Sequence, residues 1–149
     1  MVNNVIDKVK KGVSMSDKIH NLFISHSWSY SNNYTCLTNL LDKASGFKYK
    51  NYSVPKDDPI HDASNDAELE KAIENQIVMA SAVIILAGVY STYSKWINKE
   101  IAIAKRLQKT IIAVEPWGSE RTSKVVKENA DYIVKWQTSS VVEAIKKAA

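Results

Sequence analysis

The sequence predicts an α/β domain: a five-stranded parallel sheet of order 2-1-3-4-5, helices on both faces, and an amphipathic helix in front. Three observations lead there. Continuous apolar runs of strand length occur at 22–24, 82–87 and 110–114, and such runs suit a parallel sheet covered on both faces. Segments with helical periodicity lie between the strands, so five strands alternate with five helices, which implies a doubly wound sheet. Five strands wound this way commonly take the order 2-1-3-4-5, with the ligand site outside the carboxyl ends of strands 1 and 3.

Taken in order, residues 1–13 space Val2, Val5, Ile6, Val9 and Val13 as one helical stripe among lysines. This is an amphipathic arm, packed on the domain's flank or offered to a partner. We place it at 1–18, ahead of a domain at 19–149. Leu22-Phe23-Ile24 is a short buried strand, and His26, Ser27 and Trp28 leave its carboxyl end. A helix over 31–44 follows, with Tyr34, Leu37, Leu41 and Ala44 inward and Gly46 as its C-cap. Residues 49–54 alternate with lysine and asparagine, as an edge strand does. The loop 55–62, PKDDPIHD, contains two prolines and three aspartates. Its acids and His61 match no standard metal spacing, and no metal is expected; Asp/Pro clusters ordinarily make turns. Residues 65–68 resemble a capping box, ahead of a helix with Leu69, Ile73, Ile77 and Ala80 inward. Strand 3 (82–87), a helix over 94–108 and strand 4 (110–114) come next. A helix at 123–129, a strand at 131–134 and a helix from 140 onward complete the chain.

The chemistry concentrates on the helix over 94–108. Trp96, Ile97, Ile101, Ala104 and Leu107 share one arc, while Lys95, Asn98, Lys99 and Arg106 share the other. Glu100 falls near the middle of the apolar arc, one turn after Trp96. A carboxylate placed for burial costs several kcal/mol unless it is partnered or faces a pocket. The alternative is a Glu at the arc's edge, reaching water or a lysine. The loop 88–94 before this helix leaves strand 3 at the end where open α/β sheets bind ligands, which favours a site.

Composition narrows the classes. The 149 residues suffice for one domain with a proper core. The net charge of +4 comes from 20 basic and 16 acidic residues spread along the chain, with no basic tract interleaved with aromatics. Nucleic-acid binding is therefore not indicated. The single cysteine, Cys36, excludes an intrachain disulfide and fits a reducing cytosol, and nothing nearby would activate it as a nucleophile. No apolar run approaches membrane-spanning length, and no signal core precedes the domain. The expectation is a cytoplasmic protein.

Two motifs carry a resemblance to a known family. FISHSW at 23–28 resembles the first-strand motif of TIR domains. SKWINKEIAIA at 94–104 resembles their helix motif, in which Trp is followed after three residues by a catalytic Glu, as Trp96 and Glu100 are here. NYSVPKDDPIH at 51–61 is similar to the second-strand and BB-loop segment of the short TIR-like, ThsB-type proteins of bacterial Thoeris anti-phage systems. The resemblance runs from about residue 19 to the C-terminus. It implies a flavodoxin-like fold and cleavage of the nicotinamide–ribose bond of NAD, with NAD as substrate and no resident cofactor. It implies Glu100 as the catalytic residue and Ser25, His26, Trp28, Asp57, Tyr90, Ser91 and Trp96 as substrate-binding residues. It also implies a cyclised or modified ADP-ribose signal, a separate effector, and self-association. The sequence departs from many NAD-cleaving TIR domains in one respect: they place an Arg just after strand 1, where His26-Ser27-Trp28 stands here.

Other readings of the same topology meet obstacles. A receiver domain needs an aspartate at the end of strand 3, where Leu86-Ala87-Gly88 stands. A flavodoxin needs a glycine-containing phosphate loop after strand 1, and 25–32 has no glycine. A nucleoside deoxyribosyltransferase-like enzyme would use similar carboxylate chemistry. A non-catalytic TIR scaffold would act by assembly alone.

Overall fold

The three inner strands are short and mostly apolar because both faces of the sheet are covered there, while the two edge strands are partly exposed. In the computed structural model, which describes residues 18–25, 32–52, 66–86, 95–115 and 124–148, the strands are β1 (Ile19–Ile24), β2 (Lys48–Asn51), β3 (Ala82–Leu86), β4 (Thr110–Glu115) and β5 (Tyr132–Lys135). They form one parallel sheet of order β2-β1-β3-β4-β5. The helices between and after them are α1 (Asn32–Asp42), α2 (Asp66–Met79), α3 (Lys95–Arg106), α4 (Lys124–Asn129) and α5 (Thr138–Ala148). This is the α/β flavodoxin-like arrangement expected from the sequence. The expected arm and the loop 55–62 lie outside the described residues, apart from Lys18 at the arm's end.

Strand alternation sorts the core into two layers. Phe23, Val83, Ile85, Ile111 and Ala113 face Ile73 and Ile77 of α2, Ile97, Ile101 and Ala104 of α3, and Val126 of α4. Leu22, Ile24, Ala82, Ile84, Ile112 and Val114 face Leu37 and Leu41 of α1 and Val141, Ala144 and Ile145 of α5. Helices therefore cover both faces, α2, α3 and α4 on one and α1 and α5 on the other.

Several boundaries differ from the sequence reading; the strand expected at 49–54 is Lys48–Asn51, the one at 131–134 is Tyr132–Lys135, and the last helix begins at Thr138. β1 begins three residues early, at Ile19, because its main chain pairs with β2 from Ile19↔Lys48 onward whatever its side chains are. α1 stops at Asp42, so Gly46 does not cap it. Gly46 takes φ +68 in the turn that leads to Phe47 and β2. α3 ends at Arg106 in a Schellman-type cap. Lys109 N donates to Ala104 O at 2.8 Å and Gln108 N to Lys105 O at 3.1 Å, with Gln108 itself at φ 57.

Among the described residues, His20 is the buried polar residue that the sequence does not single out. It is 5% exposed and stacks on Phe47, ring centroids 5.2 Å apart, and its Nδ1 has no hydrogen-bond partner among the described residues. Burial, and then the charges of Lys18 and Lys146, hold its pKa below the ordinary 6.5. The unfolded chain takes up a proton near that pH, whereas the folded chain does so only lower. The associated stability is therefore complete above 6.5 and is lost as pH falls from 6.5 towards the folded value. Urea midpoints measured on either side of pH 6.5 should show this loss in the wild type. In His20→Phe the loss should be diminished; an identical pH dependence in the two proteins would rule out His20 as its source.

Candidate functional site

β1 and α3 meet at the carboxyl end of the sheet. Ser25 follows the last residue of β1, and by alternation it lies on the same face as Phe23, under α3. Its backbone N–H donates to Ile84 O of β3 at 2.8 Å, so the main chain there is fixed between the two strands. Glu100 sits in the second turn of α3 and turns towards that position. Ser25 Oγ donates to Glu100 Oε2 at 2.5 Å. Both residues are 0% exposed. The misfit carboxyl group of the apolar arc is therefore buried, and it accepts a hydrogen bond from Ser25, as burial of a polar group demands.

Why α3 presents Glu100 inward follows from its neighbours. Ile97, Ile101 and Ala104 are buried against the sheet on the same side of the helix. On the flank facing α2, Lys99 Nζ meets Glu70 Oε2 at 2.8 Å and Arg106 Nη2 meets Glu74 Oε1 at 2.7 Å. Partly exposed pairs of this kind contribute at most about 1 kcal/mol each. Their value here is geometric, because two contacts two turns apart oppose rotation of α3 about its axis. These ion pairs were not legible in the sequence, since their partners lie on another helix.

Of the expected site residues, the structure brings Ser25 and Glu100 together between the end of β1 and α3. Trp96 belongs to α3 by its backbone, one turn before Glu100; its side chain lies outside the described part. His26, Trp28, Asp57, Tyr90 and Ser91 also lie outside the described residues. Among the described residues, no group of three or more His, Cys, Asp or Glu could hold a metal ion. Cys36 is exposed on α1. No helix among the described residues is long and apolar enough to cross a membrane.

Comparisons with known proteins agree with this architecture. The sequence model of the family described as Thoeris protein ThsB, TIR-like domain, matches residues 23–121. No curated protein sequence matches the chain. Among solved structures, a conserved protein from Enterococcus faecalis V583 superposes with a TM-score of 0.59 at 9% identity, covering 89% of this chain and 100% of that one. The Clostridium botulinum CMP N-glycosidase BcmB superposes with a TM-score of 0.50 at 15% identity, covering 85% of this chain and 98% of that one. At these identities the likeness is one of fold.

Proposed function

The chain belongs to the family of the Thoeris protein ThsB, TIR-like domain, and from that premise we propose that it cleaves the nicotinamide–ribose bond of NAD, with Glu100 as the catalytic carboxylate. The observation that supports this most is the fully buried Glu100 at the carboxyl edge of β1 and β3, hydrogen-bonded by Ser25. Open α/β sheets bind their ligands at that edge.

The chemistry suits a single carboxylate. The bond between the ribose C1′ and the pyridine nitrogen breaks, and its electron pair leaves on that nitrogen. The cationic ring departs as neutral nicotinamide, so no general acid is needed. Positive charge develops on the ribose, as in glycoside hydrolysis, and an ionised Glu100 beside it would stabilise that charge. In this proposal His26, Trp28, Asp57, Tyr90, Ser91 and Trp96 complete the substrate site, the aromatic ones by stacking on nicotinamide or adenine. The nucleophile positioned first captures the ribose carbon and gives up a proton. Where water is excluded, a hydroxyl or the adenine of the same molecule wins over hydrolysis. We take the product to be a cyclised or modified ADP-ribose that activates a separate effector, made by a cytoplasmic protein that self-associates.

The experiment is chromatography of purified protein incubated with NAD, and of extract from phage-infected cells. Nicotinamide should appear together with a product that switches on a candidate effector. Linear ADP-ribose alone, without activation, would replace the signalling reading by simple hydrolysis. CMP should be run beside NAD, because the Clostridium botulinum protein of similar fold is a CMP N-glycosidase. Cleavage of CMP and not NAD would keep the carboxylate chemistry and change the substrate. If neither is cleaved and Glu100→Gln protects cells as well as the wild type does, the protein is a scaffold.

A further inference from the structure

We propose that Ser25 is a positioning residue for Glu100, one that holds the orientation and the charge of the carboxylate and is not itself a substrate contact. The inference rests on the reading of Glu100 as the catalytic group. A serine hydroxyl has one hydrogen. Ser25 donates it to Glu100 Oε2 at 2.5 Å, so that hydrogen is not offered to a substrate at the same time. The donor is well anchored. Its backbone N–H is bonded to Ile84 O across the β1–β3 edge, and the residue is fully buried. From that anchor the oxygen is carried by one side-chain torsion. The Glu100 carboxylate hangs on a longer chain with more torsions and gains more from a fixed partner. An O–H donor also favours the ionised carboxylate over the neutral acid. The proposed chemistry needs that ionised form facing a developing positive charge.

The test reads Glu100 directly. In protein carrying carboxyl-labelled glutamate, the Glu100 carbon resonance is assigned by its absence from Glu100→Gln and followed through a pH titration. In Ser25→Ala the titration should move to higher pH by about one unit. With NAD as substrate, kcat on the acid limb of the pH–rate profile should fall about tenfold with KM within about twofold. The acid limb of the pH–rate profile should shift in the same direction. Ser25→Thr keeps the hydroxyl and should retain the wild-type titration. If Ser25→Ala fails to fold, Ser25→Cys, a weak donor of similar size, takes its place. An unmoved Glu100 titration would overturn the proposal, and so would a raised KM at unchanged kcat, which marks a substrate contact. A wild-type protein that leaves NAD intact would remove the catalytic reading of Glu100. The titration would still decide whether Ser25 holds its charge.

Discussion

Glu100→Gln is expected to abolish NAD cleavage, by about a thousandfold or more, while the domain stays folded. A thousandfold loss corresponds to about 4 kcal/mol of transition-state stabilisation, a reasonable share for one charge beside a developing cation in a site shielded from water. The substitution keeps the side chain's size, and Ser25 can still donate to the amide oxygen. What disappears is the negative charge. Replacing a buried charge by a neutral group of the same volume is often neutral or stabilising, so the melting temperature should hold or rise. Rates and thermal melts must be measured together. Full activity would remove Glu100 from the mechanism. A protein that no longer folds would make the carboxylate structural, needed by Ser25 and by the β1–α3 contact. Glu100→Asp adds a distance test: it keeps the charge but withdraws it by about 1.5 Å, one C–C bond, and should also lose most activity.

Half of this site was legible in the sequence. Helical periodicity places Glu100 with Ile97, Ile101 and Ala104, and the structure buries all four together. Periodicity works here because α3 covers the sheet with one face only. The resemblance implies Ser25 only as a substrate contact and does not pair it with Glu100. Ser25 is 75 residues away in the chain, and only the sheet order brings the end of β1 under α3. The pairs Lys99–Glu70 and Arg106–Glu74 were hidden for the same reason, since each spans two helices. The beginning of β1 was missed on different grounds. His20 and Asn21 interrupt the apolar run, but the ladder that builds the strand is made by the main chain. His20 is then buried by its stack on Phe47, which lies between the segments that periodicity marks out.

The largest expected loss of stability is at Phe23, the opening residue of the first-strand motif. It is fully buried, and its layer of the core includes Ile73 and Ile77 of α2 and Val83 of β3. β1 is an inner strand, hydrogen-bonded to β2 on one side and β3 on the other. A backbone held on both sides cannot readily move to fill a hole, so truncation should leave much of its cavity open. Phe23→Ala is therefore expected to cost about 3–5 kcal/mol, a large part of the roughly 5–15 kcal/mol typical of a domain. The measurement is urea unfolding, with a lower midpoint and an unchanged slope. Ile133→Ala on the edge strand β5 is the control. Ile133 is already 42% exposed, and its truncation should cost well under half as much. Phe23 lies two residues before Ser25 on the same face of β1, so its loss should also loosen the anchor of Glu100. Activity in Phe23→Leu, which fills more of the hole, should then fall less than in Phe23→Ala. A Phe23→Ala protein that loses under about 1 kcal/mol would mean that the layer beneath α2 and α3 repacks freely, and β1 would not be the rigid frame on which the site depends.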